Sequence, residues 1–322
     1  MIKNRKVFQA ASLFIIFTFF LLQLKAQKNK PADTVKVGIY LKSLSEFNSN
    51  TFTYGADLWM WYSYKNDSLN PLNSVEIVNA KDFECSNQKI EKKGDIIWAS
   101  QDCKAIINQN WDWENYPFDL QKVEIILEEE DLDIRKVFLT ELKPVFEYGK
   151  QINIKGWKID SSKISKGLSH YKTDFENPSL NGESLYPNVV YTLYLSRDSM
   201  ALFFKLFTGC YVAFLVAFLV FFIKPIHVDP RFGLSIGALF AAVGNKYVVD
   251  SNMPESISFT LVDKIHDITF VYILISILCS IISLKLYESK HPLRYFKFDK
   301  IAGFFVFLSY FFINILMIFR AI

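Results

Sequence analysis

The sequence predicts an all-β sandwich domain followed by an all-α domain of four membrane-spanning helices. Three features support this division. Short runs of alternating apolar and polar residues fill the first half, long apolar runs fill the second half, and a basic and then apolar segment begins the chain. Alternation with period two is typical of half-buried strands, whereas apolar runs of about 20 residues can cross a membrane.

The β domain is predicted over residues 33–198. In its first strand, Val35, Val37, Ile39 and Leu41 alternate with polar or small residues. Turn residues separate this strand from later ones, and many short strands with regular turns favour a sandwich or a barrel. The further predicted strands cover 51–64, 96–98, 104–111, 120–127 and 189–195.

The helical domain is predicted over residues 199–322. Its four spans cover about 201–223, 232–249, 263–286 and 300–319, with a short link over 289–299 between the last two. The second span differs from the others because it is rich in glycine and alanine and contains Lys246. A lysine near the middle of a bilayer is costly. We therefore expect this span to face other helices or water.

Residues 1–26 are predicted to be a secretory signal peptide. Basic residues such as Lys3 and Arg5 precede an apolar run over 7–22, and a small-residue cleavage site ends at Ala26. The alternative is a membrane anchor, which the short and interrupted apolar run disfavours.

Charge gives an orientation and argues against one class of partner. The formal charge of +3 includes four basic residues of the signal; without them, 36 − 4 = 32 basic residues face 33 acidic ones, a net charge of −1. This balance gives no electrostatic reason to expect nucleic-acid binding. Seven basic residues flank the predicted cytoplasmic ends of the spans and three the opposite ends. By the positive-inside rule, the β domain and the C-terminus lie outside the cytoplasm.

Motifs that carry enzyme chemistry are missing from the sequence. The four histidines are scattered without metal-ligand spacing, and no nucleophile elbow or phosphate-binding glycine loop is present. We therefore predict neither an enzyme nor a bound cofactor or metal. The acidic run 128–131 is either a divalent-cation site or a solvated strand end, and such runs are more often solvated.

The cysteines fall into two groups. Cys210 and Cys279 lie in apolar spans and are interpreted as small hydrophobic residues. Cys85 and Cys103 lie in the exported part, where an oxidising compartment allows a disulfide. The sequence leaves open whether these two cysteines pair.

The most specific local motif is Tyr-Pro-Phe-Asp-Leu-Gln at 116–121. In it, Pro117 fixes a turn, Phe118 is an apolar anchor at the tip, and Asp119 places a charge just before a strand. By itself this motif would be an ordinary turn. Its position in an exported β domain that leads into four spans gives it more weight.

With this motif, the chain resembles the prokaryotic branch of the pentameric ligand-gated ion channels, the Cys-loop receptor superfamily. The resemblance also rests on the strand motif at 57–61, on Arg197 before the first span, and on Pro254 nine residues before Asp263. It covers essentially the mature chain. The sequence departs from the animal receptors in lacking the two cysteines that bracket the loop there.

The resemblance implies a homopentamer in the bacterial inner membrane, with the β domain on the periplasmic or extracellular side. Its partners would be membrane lipid and an unidentified small-molecule or ion ligand that binds between neighbouring β domains. The alternative is a membrane-anchored oligomeric binding or sensor protein that does not conduct ions.

Aligned through Pro254, the second span presents one face to a predicted central pore. Phe240 would be the hydrophobic constriction, and Asp229 would favour cations at the cytoplasmic mouth, opposed by Arg231. The alternative is that the glycines only allow close helix packing. The predicted pore-lining residues are Asp229, Arg231, Gly233, Gly237, Phe240, Gly244, Tyr247 and Ser251.

The resemblance also implies a coupling region where the two domains meet, in which Asp119 would pair with Arg197. Its predicted residues are Glu46, Phe47, Pro117, Phe118, Asp119, Arg197, Pro254 and Asp263. A ligand pocket lined by aromatic side chains would suit a cationic or aromatic ligand. Its candidate residues, each of which could instead belong to the core, are Trp59, Trp61, Trp98, Phe146, Tyr148, Phe175 and Tyr186.

Overall fold

The computed structural model has a two-sheet β-sandwich followed by four long apolar helices. The predicted signal segment 1–26 lies outside the described residues, and so do Pro254 and most of the link around it. The structure describes residues 32–143, 146–149, 152, 154, 156–176, 182–251, 253, 258–289 and 292–322.

Ten strands form two sheets in the described part of the chain. The strands are β1 Asp33–Asn48, β2 Thr53–Tyr64, β3 Val75–Ile77, β4 Ala80–Lys93, β5 Ile96–Asn108, β6 Leu120–Glu129, β7 Val137–Glu141, β8 Glu147–Tyr148, β9 Trp157–Tyr171 and β10 Ser184–Arg197. The first sheet has the order β4-β5-β2-β1-β7, with β8 also paired to β1, and the second has the order β3-β6-β10-β9.

The core lies between the sheets and follows the alternation seen in the sequence. Val37 and Leu41 of β1 are fully buried, as are Leu127 of β6 and Val189 of β10. The sequence predicted two strands where β5 is continuous, because its middle contains polar residues. Of these, Ser100 and Gln101 are buried in the structure, where the Gln101 side chain lies within hydrogen-bonding distance of the Tyr62 hydroxyl and the Leu72 carbonyl.

Cys85 and Cys103 are joined by a disulfide, which answers the question that the sequence left open. The two residues are direct cross-strand partners in the antiparallel pairing of β4 with β5. The bond therefore fastens β4, at the edge of the described sheet, to the neighbouring β5. On the chain-entropy account, closing a loop of this size contributes about 3 kcal/mol to the free energy of unfolding.

In the described residues, four helices follow the sandwich, and all are long and apolar enough to cross a membrane, which indicates a multi-pass membrane protein. The fourth span was predicted to start near residue 300 after a link over 289–299, whereas the helix includes part of that link. Charged residues lower the hydropathy there, yet the helix already begins at Pro292. The helices are α1 Ser199–Phe218 with a 3-10 turn at Leu219–Phe222, α2 Val228–Asp250, α3 Leu261–Glu288 and α4 Pro292–Ala321.

The two domains share one hydrophobic core. A single cluster of buried apolar residues includes Trp113 and Tyr116 of the sandwich together with Phe207 of α1 and Leu261 and Ile265 of α3. The end of the sandwich is therefore packed onto the helices and is not separated from them by a polar linker.

Candidate functional site

The predicted face of α2 is uncovered in the single chain. Phe240 and Tyr247 are 71% and 77% exposed. A Cβ atom added at Gly233, Gly237 or Gly244 would meet nothing within 4 Å, so these glycines do not serve close packing inside the subunit. This face is therefore open to lipid, water or another chain.

The opposite face of α2 packs inside the subunit. Ala238 and Ala242 are buried against Ala213 and Ala217 of α1 and Ile273 of α3. Small side chains let these helices approach closely. This packing fixes the rotation of α2 about its own axis, and it leaves the glycine face pointing away from the bundle.

The exposed surface of α4 has a different chemistry. Phe304, Phe312 and Phe319 are among its most exposed residues, and large apolar side chains of this kind suit acyl chains. Of the four spans, α2 is the least apolar. Lipid therefore fits α4 well, whereas the predicted face of α2 combines Phe240 and Tyr247 with glycines, which gain little from lipid.

Arg231 does not line the predicted pore, which corrects the assignment made from the sequence. Its side chain is 1% exposed and lies inside the subunit, where Nη2 donates to Asp299 Oδ1 at 2.8 Å. Nε and Nη1 lie 3.2 Å from the hydroxyls of Ser280 and Ser283, respectively. A guanidinium within a membrane helix bundle needs such partners, because an unpaired charge is costly there.

The C-terminal end of α2 is tied to the start of α3. Lys246 forms ion pairs with Asp250 on its own helix and with Asp263 on α3. Asp263 also accepts a hydrogen bond from the Thr260 backbone N–H at 2.8 Å, which completes a capping box at the start of α3. The predicted coupling residue Asp263 thus joins the two helices.

Asp119 and Arg197 form a two-point ion pair at the base of the sandwich. Arg197 Nε donates to Asp119 Oδ1 at 2.7 Å, and Nη2 donates to Oδ2 at 3.0 Å. The Asp119 side chain is almost completely buried. Gln121 Nε2 donates to Asp119 Oδ2 at 2.8 Å. Paired hydrogen bonds of this type fix orientation as well as charge.

Three aromatic rings surround the Arg197 guanidinium. Its central carbon lies 4.0 Å from the ring centre of Trp157, 5.0 Å from that of Tyr116 and 5.6 Å from that of Trp113. The negative faces of aromatic rings attract a cation. The sequence identified Arg197 and Asp119 but gave no sign that Trp157 stacks on the pair.

The loop that carries the 116–121 motif touches the helices directly. The Phe118 ring lies 5.7 Å from that of Phe203 on α1. The Leu261 backbone N–H of α3 donates to the Glu114 carbonyl at 2.9 Å, and Lys264 reaches the Glu114 carboxylate at 3.3 Å. Movement of this loop would therefore change contacts with both α1 and α3.

A cavity of about 360 Å³ lies at the same boundary. It is lined by Phe47 and Trp157 of the sandwich, by Arg197, and by Ser251 and Met253 just beyond α2. The predicted coupling residue Phe47 packs on Trp157 with a ring separation of 6.0 Å. Glu46 beside it is exposed, and Pro117 follows a cis peptide bond.

Two predicted ligand-contacting aromatics belong to the core, which corrects those assignments. Trp61 is 8% exposed, and its ring lies so close to Gly38 that a Cβ atom there would be 2.5 Å away. Phe146 is 3% exposed and packs on Tyr191 with a ring separation of 5.3 Å. Neither side chain is open to a ligand in the single chain.

The other candidate aromatics lie on separate surfaces. Trp59 and Trp98 of the first sheet line a cavity of about 590 Å³ together with Lys42 and Asp102. Tyr148 is on β8, at another position of that sheet. Phe175 and Tyr186 belong to the hairpin of β9 and β10 in the second sheet, where both contact Tyr171 at ring separations of 5.6 and 5.8 Å.

The acidic run 128–131 is not simply a solvated strand end. Glu128 and Glu129 are both buried, which contradicts the favoured interpretation for these two residues. Glu128 accepts hydrogen bonds from the hydroxyls of Tyr171, at 2.7 Å, and Ser169. Burial and the nearby Glu128 carboxylate raise the pKa of Tyr171 to about 12, so this hydroxyl stays a donor at neutral pH.

The Glu128 carboxylate is therefore bound to Tyr171, whose ring in turn contacts those of Phe175 and Tyr186 at the β9–β10 hairpin. Burial, together with the neighbouring Glu130 and Glu128, also raises the pKa of Glu76, the cross-strand neighbour of Glu128. Such a surface suits a cation better than an anion. Tyr171 and Glu128 were missed as site residues because only strand register brings them together, although the acidic run itself was visible.

Glu129 gives a pH-dependent prediction for stability. Burial raises its pKa to about 7, so the folded protein binds this proton more tightly than the unfolded chain does. The resulting stabilisation is complete at low pH and is lost as pH rises through about 7. We expect Glu129→Gln to reduce the pH-dependent change in the free energy of unfolding by about 2–3 kcal/mol.

The measurement is the melting temperature of the purified protein at about pH 5 and about pH 8. The native protein should lose more stability between these two values than Glu129→Gln does. Glu130→Gln at the exposed neighbouring position is the matched control. Equal pH slopes for the native and Glu129→Gln proteins would contradict the prediction.

Comparisons with known proteins give no family assignment. The chain matches no protein-family model, and no curated protein is significantly similar to it.

Proposed function

We propose that this chain is one subunit of a homopentameric ligand-gated ion channel in which α2 lines the pore. The observation that carries the proposal is the exposed face of α2, formed by glycines with Phe240 and Tyr247. Five copies around an axis would place this face on a water-filled path and leave the phenylalanine-rich surface of α4 towards lipid. The family resemblance supplies the number five.

Burial of Arg231 bears on ion selectivity. Its charge is matched by Asp299 within the subunit, so it does not oppose Asp229 at the mouth of the pore. Asp229 lies in the first turn of α2 and is exposed. Five copies would form an acidic ring, which favours cations. A reversal potential that follows the chloride gradient would contradict this assignment.

The ligand is proposed to bind between neighbouring β domains on the periplasmic or extracellular side. One subunit would contribute Tyr171, Phe175 and Tyr186 with the Glu128 carboxylate, and the next would contribute the cavity beside Trp59 and Trp98. Aromatic rings beside a carboxylate favour an organic or inorganic cation. The ligand can open the pore only if it binds the open state more tightly than the closed state.

Coupling between the ligand and the pore is proposed to run through the domain boundary. Phe118 contacts α1, the Glu114 backbone binds the start of α3, and Asp263 binds Lys246 of α2. These contacts form a continuous path from the sandwich to the pore helix. The rigid Asp119–Arg197 pair anchors its upper end.

Phe240 is proposed as the hydrophobic gate. We expect Phe240→Ala to raise the resting current at least several-fold, because a wider constriction stays wet without ligand. The measurement is current across planar bilayers containing the purified protein. Phe312→Ala, a similarly exposed phenylalanine on α4, is the matched control and should leave the resting current unchanged. Resting currents that are equal in both variants and the native protein would refute the gate assignment.

A second candidate function is a membrane-anchored oligomeric sensor that does not conduct. It is favoured by the bulky Phe240 and Tyr247 and by the lack of charge on the exposed α2 face between Asp229 and Asp250. The mass of the assembled particle and single-channel recording across ligands, pH values and calcium concentrations separate the two. Five chains with unitary currents support the channel, and a stable oligomer that binds ligand without current supports the sensor.

A further inference from the structure

A cavity of about 790 Å³ lies at the end of the helical bundle that is far from the sandwich. There the turn after α1 meets the first part of α4. Aromatic side chains form most of its walls. Phe222 and Phe304 are largely exposed, so the cavity opens on the outer surface of the helices and not on the α2 face. Gly303 allows this arrangement, because a Cβ atom there would lie 3.1 Å from the Phe221 ring.

Two lysines give the apolar cavity a positive charge. Lys224 and Lys300 line it and are exposed, and neither forms an ion pair within the described part of the chain. Asp299 is the one acidic residue in its lining. Arg231 and Ser283 already bind the two Asp299 oxygens, so this carboxylate does not neutralise the lysines.

We propose that this cavity binds one anionic phospholipid, with its phosphate between Lys224 and Lys300 and its acyl chains along the phenylalanine walls. A soluble phosphate would leave the aromatic walls unused, and a neutral lipid would leave the lysines unmatched. Lys224 and Lys300 belong to the basic set that the positive-inside rule places at the cytoplasmic surface, where anionic headgroups are available. The proposal does not depend on ion conduction.

The test uses the full-length protein in vesicles of phosphatidylcholine that contain phosphatidylglycerol with a photoactivatable acyl chain. Labelling should map to peptides covering 218–224 and 295–305. Unlabelled phosphatidylglycerol should compete, whereas additional phosphatidylcholine should not. A lysine near an anionic lipid contributes about a fivefold factor in affinity. The double variant Lys224→Gln/Lys300→Gln should therefore need roughly 30-fold more phosphatidylglycerol for half-maximal labelling.

Arg294→Gln/Lys297→Gln is the matched control, because it removes the same charge from exposed positions of α4 that do not line the cavity. It should change half-maximal labelling by less than about threefold. An equal loss in both double variants would show general surface attraction and overturn the proposal. Two results on the native protein would also overturn the proposal, whether or not the variants fold. The first is labelling that maps to other peptides, and the second is equal competition by phosphatidylcholine.

Discussion

Arg231→Met alone is expected to destabilise the helical domain by about 3–5 kcal/mol, because it leaves the Asp299 carboxylate buried without a cation. Asp299→Leu alone should be similarly harmful for the opposite reason. The double variant Arg231→Met/Asp299→Leu should recover most of the loss, since an apolar pair of similar volume needs no charge compensation. The pair joins α2 to α4, so its loss would loosen the proposed pore helix.

The measurement is the melting temperature of the purified protein in detergent, with the yield of monodisperse particle as a second readout. Arg294→Met removes an exposed arginine from the same end of α4 and should change the melting temperature little. A double variant as unstable as the single variants would show that the hydrogen bonds to Ser280 and Ser283 matter more than the charge balance.

Asp119→Asn is expected to lower the free energy of unfolding by about 3 kcal/mol, because it removes the carboxylate that pairs with the largely buried Arg197. Arg197→Lys keeps the charge but loses the two-point geometry and the stacking on Trp157, and should cost about 1–2 kcal/mol. If the chain is the proposed channel, either change should also weaken its response to ligand, because the 116–121 loop would lose its anchor at the domain boundary.

A charge reversal, Asp119→Arg/Arg197→Asp, is expected not to restore stability. The new aspartate would face the negative ring faces of Trp157 and Tyr116, and the new arginine would face the Gln121 amide donor. Melting temperatures test this, with Asp67→Asn of the exposed Lys92–Asp67 pair as a control expected to cost less than about 0.5 kcal/mol. A reversed pair as stable as the native one would show that the rings contribute nothing.

Apart from the division of β5, strands with two neighbours were predictable from the sequence, whereas edge strands were not. In β1, β6 and β10 every second residue is buried between the sheets, so alternation is visible. By contrast, β4 and β9 lie at sheet edges, and most of their residues are at least partly exposed. Polar, lysine-rich edges protect a sheet from pairing with other chains, and the same composition hides the strand from pattern analysis.

The candidate site was predicted only in part, because sequence patterns show local periodicity and do not show contacts between distant segments. The exposed face of α2 follows from residue spacing, because rotation along a helix is regular. The inward direction of Arg231 does not follow, since its partner Asp299 is on α4 and sequence patterns carry no information about that contact. Trp61 and Trp59 are both tryptophans on one strand, yet only the fold decides that one covers Gly38 and the other stays accessible.

The apolar cluster shared by the sandwich and the helices limits how the protein can be divided for experiments. A fragment that ends at Asp198 would lose the contact of Phe118 with Phe203. It would expose an apolar patch at the base of the sandwich to solvent. Such a fragment is expected to aggregate on expression. Ligand screening by calorimetry or crystallography should therefore begin from the intact chain in detergent or nanodiscs.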